Sequence, residues 1–111
     1  MNGMPKVKFS FNWNRKLDCD AFTTYRDWNS RKEEHFKNLV GMKFAVLLFQ
    51  KLKCYRILKK VRKTRLIDEP YELLVVDTGS SDPYGFFRKR FGITEKDPVL
   101  CLLFVKEEVE L

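Results

Sequence analysis

The run DAFTTYRDWN, Asp20 to Asn29, places two threonines, a tyrosine, an arginine, two aspartates and a tryptophan in ten residues. Hydroxyls beside a guanidinium are groups that read the polar edge of a ligand. Arg26, Tyr25 and Trp28 add a guanidinium plane and two aromatic faces on which an unpaired base could stack, worth about 1–3 kcal/mol per base. Packing alone does not call for this run, because a strand over an ordinary core alternates apolar and polar residues. The segment is therefore either a strand that ends at a site or an edge strand with a charged tip. Neighbouring residues on a strand point to opposite faces, so Arg26 cannot pair with Asp27 and must reach a distant partner or a ligand.

A second chemical signal is charge. The net charge of +7 is unevenly distributed: residues 35–65 carry ten basic groups and no acid, whereas residues 66–111 carry five basic and ten acidic groups. Lys51, Lys53, Arg56, Lys59, Lys60, Arg62, Lys63 and Arg65 all fall within fifteen residues. With no acid in the run to neutralise them, these side chains point to a polyanion, since releasing counterions from phosphates favours lysine and arginine contacts. RNA or a nucleotide is the expected partner, and an acidic protein is the alternative. A solvated strand face would carry the same charges without any partner.

Other chemistries find little support. Cys19, Cys54 and Cys101 are widely spaced, with no C-x-x-C and only His35 to accompany them. That spacing fits none of the common zinc patterns and suits reduced thiols, so neither a metal nor a cofactor is expected. Cys54 and Cys101 lie in apolar patterns and read as small core residues. The longest apolar run, Phe44 to Phe49, falls far short of the roughly 20 residues that span a bilayer. The first residues lack the apolar stretch of a secretion signal, so a cytoplasmic protein without a membrane partner is expected.

The elements that must position these groups follow from periodicity. KVKFSFNWN alternates, with Val7, Phe9, Phe11 and Trp13 on one face of a strand. RKLDCDAF reads as a turn or short helical stretch, capped by Asp18 or Asp20, and FTTYRDW as a second strand. NSRKEEHFKNLVG reads as a loop or one helical turn, and Phe44 to Phe49 as a central strand. The basic run favours a strand because β-branched residues recur and no acids are present for i,i+4 pairing. Period two puts Leu52, Cys54 and Leu58 on one face and Tyr55, Ile57 and Val61 on the other. DEPYELLVV opens like a helix, and Asp77-Thr78-Gly79 closes it with Gly79 at positive φ. SSDPYGFFRKRFG predicts a helix with a serine cap, Phe86, Phe87 and Phe91 inside, and Gly92 ending it. PVLCLLFVKE is a strand buried on both faces. At 111 residues the chain, 1–111, is read as a single domain. The order has no repeated βαβ alternation. It predicts an α+β fold: a small, strongly curved, mostly antiparallel β-barrel with two or three short helices alongside.

In this order, FTTYRDW, Val40-Gly41, the basic strand, DTGSSDPYGFFRKRFG and PVLCLLF resemble the ASCH domains of the PUA-like superfamily. The resemblance runs from about Val7 to Lys106. It implies a PUA-like barrel and an RNA- or nucleotide-binding role, with the basic strand on phosphates and a polar cleft reading a base. Members carry a pattern like K-x-x-T-x-R followed by a Gly-Asp turn. Thr24 and Arg26 match it, whereas Ala21 stands at the lysine and Met42 at the aspartate. Some relatives are acetylcytidine amidohydrolases in which a lysine, a threonine and a carboxylate act together. By that likeness Thr24 and Asp77 would be the catalytic pair, and the chemistry also needs a lysine of lowered pKa as base. With Ala21 at that position, hydrolysis of an acylated nucleoside is the alternative reading. Lys16 and Lys8 are the amines that would have to substitute, and spacing places neither. The resemblance puts Thr24 and Arg26 on a cleft with Asp77 opposite, and Thr23 facing elsewhere.

Overall fold

A computed structural model describes residues 4–10 and 12–107, the side chains of Trp13 and Asn14 excepted. Five strands form one sheet: β1 (Lys6–Phe9), β2 (Ala21–Asp27), β3 (Lys43–Leu48), β4 (Lys51–Arg65) and β5 (Pro98–Val105), in the order β1-β3-β4-β5-β2. Only the β1–β3 pairing is parallel; β3–β4, β4–β5 and β2–β5 are antiparallel. Three helices accompany the sheet: α1 (Ser30–Lys37), α2 (Tyr71–Thr78) and α3 (Pro83–Phe91). The fold is thus α+β, with a curled mixed sheet forming a half-barrel.

The curl is built by β4. Its first half pairs with β3 through Ile57, and its second half pairs with β5 from Ile57 onward. A bulge interrupts the β5 register between Leu58 and Lys60. An extra residue in one strand increases local twist and flips the faces beyond it. Val61 therefore packs on the same core as Leu58 rather than on the face opposite, correcting the strict period-two assignment. The β3–β4 turn is two residues long, with both Phe49 (φ 52°) and Gln50 (φ 67°) left-handed, which is the hairpin geometry that matches strand twist.

Two apolar clusters lie on the two faces of β5, which is buried on both as expected. Leu100, Leu102 and Phe104 join Val7, Phe22, Phe44, Val46 and Leu58 inside the half-barrel. Val99 and Cys101 join Tyr25, Leu66, Leu74, Phe87 and Ile93 beneath α2 and α3. Burying such side chains contributes about 1.5–3 kcal/mol each before entropy is counted.

Several local expectations change. β1 stops at Phe9, and Trp13–Asp18 forms a 3-10 turn instead of extending the strand. The expectations for Phe11 and for the Trp13 side chain lie outside the described residues. Asn12, not Asp18 or Asp20, organises that turn: its Oδ1 accepts from the Leu17 amide at 2.9 Å and its Nδ2 donates to Asp18 at 3.0 Å. The polar segment after Trp28 is a true two-turn helix, α1, because the Asn29 side chain caps it by accepting from the Lys32 amide at 2.7 Å. In α3 the cap is Asp82, which accepts from Gly85, while Ser80 in turn accepts from the Asp82 amide. Phe87 is buried there, but Phe91 remains 58% exposed. Gly79 (φ 69°) and Gly92 (φ 66°) end α2 and α3 as expected, in a conformation where a side chain would be strained.

Candidate functional site

The half-barrel leaves β1 and β2 as free edges, and the curl brings them to face each other. Arg26 of β2 bridges the seam. Its Nη2 donates to the Lys8 carbonyl at 2.9 Å, its Nε donates to the Thr24 hydroxyl at 3.2 Å, and its guanidinium carbon lies 4.8 Å from the centre of the Phe9 ring. Beside this bridge, between the edge of β2 and helices α2 and α3, lies a cleft of about 430 Å³. Thr24, Arg26, Lys16 and Asp77 line its polar side, and Phe86, Phe87 and Phe91 its aromatic side. Its size falls in the range of small-ligand pockets.

The floor is a connected polar cluster. Lys16 projects from the 3-10 turn, directly after Arg15, whose φ of 56° marks a sharp change of chain direction. Its Nζ donates to the Thr23 carbonyl at 3.0 Å and approaches Asp77 Oδ2 at 3.4 Å. The Thr23 hydroxyl donates to Asp77 Oδ1 at 2.9 Å. Burial pushes the Lys16 ammonium below its ordinary range against the pull of Asp77, and the nearby Arg26 pushes the same way. Burial likewise pushes the Asp77 carboxyl up, with Lys16 and Thr23 opposing. Asp77 also sits in the last turn of α2, where the helix dipole disfavours a negative charge. Both groups are thus held away from their comfortable charged forms, which is the condition for moving a proton or accepting a polar ligand.

The expected residues divide. Thr24, Arg26 and Asp77 do line one cleft. Thr23, expected to face elsewhere, is the hydroxyl that touches the carboxylate, while Thr24 is turned to Arg26 and only 4% exposed. An edge strand lets side chains of both its faces reach a cleft along its margin, so alternation does not decide this point. Lys16 and Phe9 are the contributors that spacing did not place. The sequence held only an indirect signal for Lys16: Asn12 and Asp18, which close the turn that presents it.

Tyr25 and Trp28 are not open stacking faces. Tyr25 is buried, its hydroxyl donates to Glu69 at 2.9 Å and its ring meets Phe87 edge-on. Trp28 donates to Glu33 at 2.7 Å, and Lys63 Nζ lies 3.7 Å from the centre of its ring. The basic strand is also less free than its sequence suggests. Lys53 pairs with Asp18 at 2.7 Å, Arg65 with Asp68 at 2.8 Å, and Arg62 with Glu69. Arg56 is buried and donates to the carbonyls of Leu17, Cys19 and Tyr55. Among the described residues, Lys51, Lys59 and Lys60 are the exposed members of the run with neither an ion pair nor an aromatic face. The acids come from outside the run, Asp68 and Glu69 directly after it and Asp18 from the 3-10 turn far upstream, so a one-dimensional charge count missed them.

Among the described residues no group of three or more His, Cys, Asp or Glu side chains is placed to hold a metal, and no helix is long and apolar enough to cross a membrane. The three cysteines are free thiols: Cys19 exposed, Cys54 half-buried and Cys101 buried. Compared with family models, with curated proteins and with solved structures, the chain finds no match.

Proposed function

We propose that this chain is an ASCH-type, PUA-like domain that binds a nucleotide or a single-stranded RNA segment through the cleft beside β2. The observation that carries this reading is one cavity of about 430 Å³ combining an aromatic wall, Phe86 and Phe91, with a polar floor of Asp77, Thr24, Lys16 and Arg26. A base slides against the aromatic wall, and the carboxylate and hydroxyl floor meets its polar edge. Lys51, Lys59 and Lys60 supply the salt-dependent phosphate contacts of any longer strand. The test is equilibrium binding of mononucleotides and short single-stranded RNAs across a salt series. Binding that weakens with salt, and falls at least tenfold in Asp77→Leu, supports the reading; no binding at low salt ends it.

A second reading rests on a separate observation. The Lys16, Asp77 and Thr23 contacts reproduce the amine, carboxylate and hydroxyl set that the resemblance associates with amidohydrolases, with Lys16 supplying the amine absent at Ala21. In such a reaction a threonine oxygen attacks the acyl carbonyl while the buried amine takes its proton. That proton passes to the departing nucleoside nitrogen as the C–N bond breaks, and water then hydrolyses the acyl ester to free the acid and the threonine. Incubation with acetylcytidine decides it. Release of cytidine that is lost in Lys16→Met and in Thr23→Val or Thr24→Val favours hydrolysis; no release by the wild type removes it.

A further inference from the structure

We infer that Arg26, assisted by Lys16, is the receptor for an oxyanion of phosphate type, so that a ligand's phosphate enters the seam between β1 and β2 instead of lying along β4. The inference rests on the nucleotide reading for the ligand's identity, but the charge at the seam stands without it.

Four cationic side chains line the cleft: Lys8, Lys16, Arg26 and Arg90. The two carboxylates that share it are already engaged. Asp27 has both oxygens bound by Lys32 at 2.8 Å, and Asp77 is held by Lys16 and Thr23. Among the described residues Arg26 has no carboxylate partner; its contacts are the neutral oxygens of Thr24 and Lys8 and the Phe9 ring. A largely buried guanidinium with no carboxylate bonded to it is costly: burial weakens its hold on its proton, and the charge of neighbouring Asp27, itself bound by Lys32, only partly opposes this. Those two hydrogen bonds leave most of its fork of N–H donors for a ligand, in the planar arrangement that suits phosphate oxygens bidentately. The bond to the Lys8 carbonyl and the Phe9 contact fix the plane of the fork before any ligand arrives. Preorganisation of this kind favours binding, because the side chain has little freedom left to lose. Lys16 Nζ and the Arg26 guanidinium both lie over the Phe9 ring, 5.4 and 4.8 Å from its centre, and Arg26 disfavours the charge on Lys16, so a dianion between them would relieve that repulsion.

The experiment compares a nucleoside, its 5′- and 3′-monophosphates and inorganic phosphate on the wild type, on Arg26→Gln, on Arg26→Lys and on the double variant Lys59→Gln/Lys60→Gln. Expected is at least tenfold tighter binding of a monophosphate than of the nucleoside, a preference lost in Arg26→Gln, reduced in Arg26→Lys and kept in the lysine double variant. Nucleoside and monophosphates binding equally to the wild type overturns the inference while leaving the nucleotide reading intact, and that comparison does not depend on any variant folding. A preference that disappears with Lys59 and Lys60 instead of Arg26 also overturns it. Should neither nucleoside nor nucleotide bind, inorganic phosphate decides: a rise in wild-type melting temperature that is absent in Arg26→Gln retains the oxyanion receptor for a different ligand, and no rise removes it.

Discussion

The domain exposes two carboxylate residues to nearly the same small extent, Glu69 at 8% and Asp77 at 7%, and treats them in opposite ways. Glu69 accepts from Tyr25 at 2.9 Å, from Thr64 at 3.2 Å and from both terminal nitrogens of Arg62. Burial alone would raise its pKa, but these donors outweigh burial and hold it below the usual carboxylate range. Asp77 receives one hydroxyl and one amine at 3.4 Å, and there burial wins. Equal exposure therefore does not fix the character of a buried acid; the packing around the carboxyl and the number and charge of its donors do. Glu69 clamps β2, β4 and the turn before α2 together. Asp77 is left with capacity facing a cleft.

The largest effect expected from this contrast is on Glu69. Replacing it as Glu69→Gln should cost about 2 kcal/mol of stability, below the 3–5 kcal/mol of a fully buried broken pair because Arg62 is 39% exposed. Chemical denaturation measures it, and an unchanged midpoint would show that the clamp is not one. Tyr25→Phe removes a single charge-assisted bond and should cost about 1–2 kcal/mol by the same measurement.

The cleft pair should behave differently. Lys16→Met/Asp77→Leu replaces a poorly favoured ion pair by apolar groups, and stability should stay within about 1 kcal/mol of the wild type or rise, while ligand binding is lost. A large destabilisation would make Lys16 and Asp77 a second clamp and dissolve the distinction.

The two acids also predict opposite pH signatures. Glu69 has a lowered folded pKa, so its stabilisation is present above the ordinary value of 4.5 and is lost as pH falls through the folded one. Asp77 has a raised folded pKa, so its penalty is absent at low pH, grows as pH rises past the ordinary value of 3.8 and is complete above the folded one. Stability measured between roughly pH 3 and 7 should lose part of its acid sensitivity in Glu69→Gln and become more acid-sensitive in the Lys16→Met/Asp77→Leu variant. Identical slopes would equate the two sites. The smallest effect belongs to the surface: Lys59→Gln/Lys60→Gln should leave stability within about 0.5 kcal/mol and only flatten the salt dependence of the proposed RNA binding.

Where one periodicity governed a segment, the sequence was legible. The β-branched and aromatic FTTYRDW, the apolar run before Phe49 and the doubly buried PVLCLLF all became strands, and Gly79 and Gly92 end their helices because only a residue without a side chain takes that conformation easily. Legibility failed where a single side chain overrode local pattern. Asn29 nucleated α1 in a segment too polar to announce a helix, and one bulge residue near Lys59 moved Val61 to the other face of β4. The cleft was half legible: Thr24, Arg26 and Asp77 converge, but Thr23 and Lys16 were hidden because their roles depend on curl and on a turn, not on spacing. The charge of β4 misled for a related reason. Asp68 and Glu69 follow the run directly and Asp18 lies far upstream of it, and the fold brings them onto Arg65, Arg62 and Lys53.

The guanidinium that spans the two unladdered margins has a mechanical consequence. β1 has one neighbouring strand, in a four-residue parallel ladder, with Val7 and Phe9 as its packed side chains and the Arg26 stitch across its other margin, so it is the strand expected to peel first. Amide exchange along Lys6–Phe9 should outpace that of every other strand, and a bound anion that tightens the stitch should slow it without touching β4. Occupancy of the cleft would then be readable as the opening rate of the barrel's own edge.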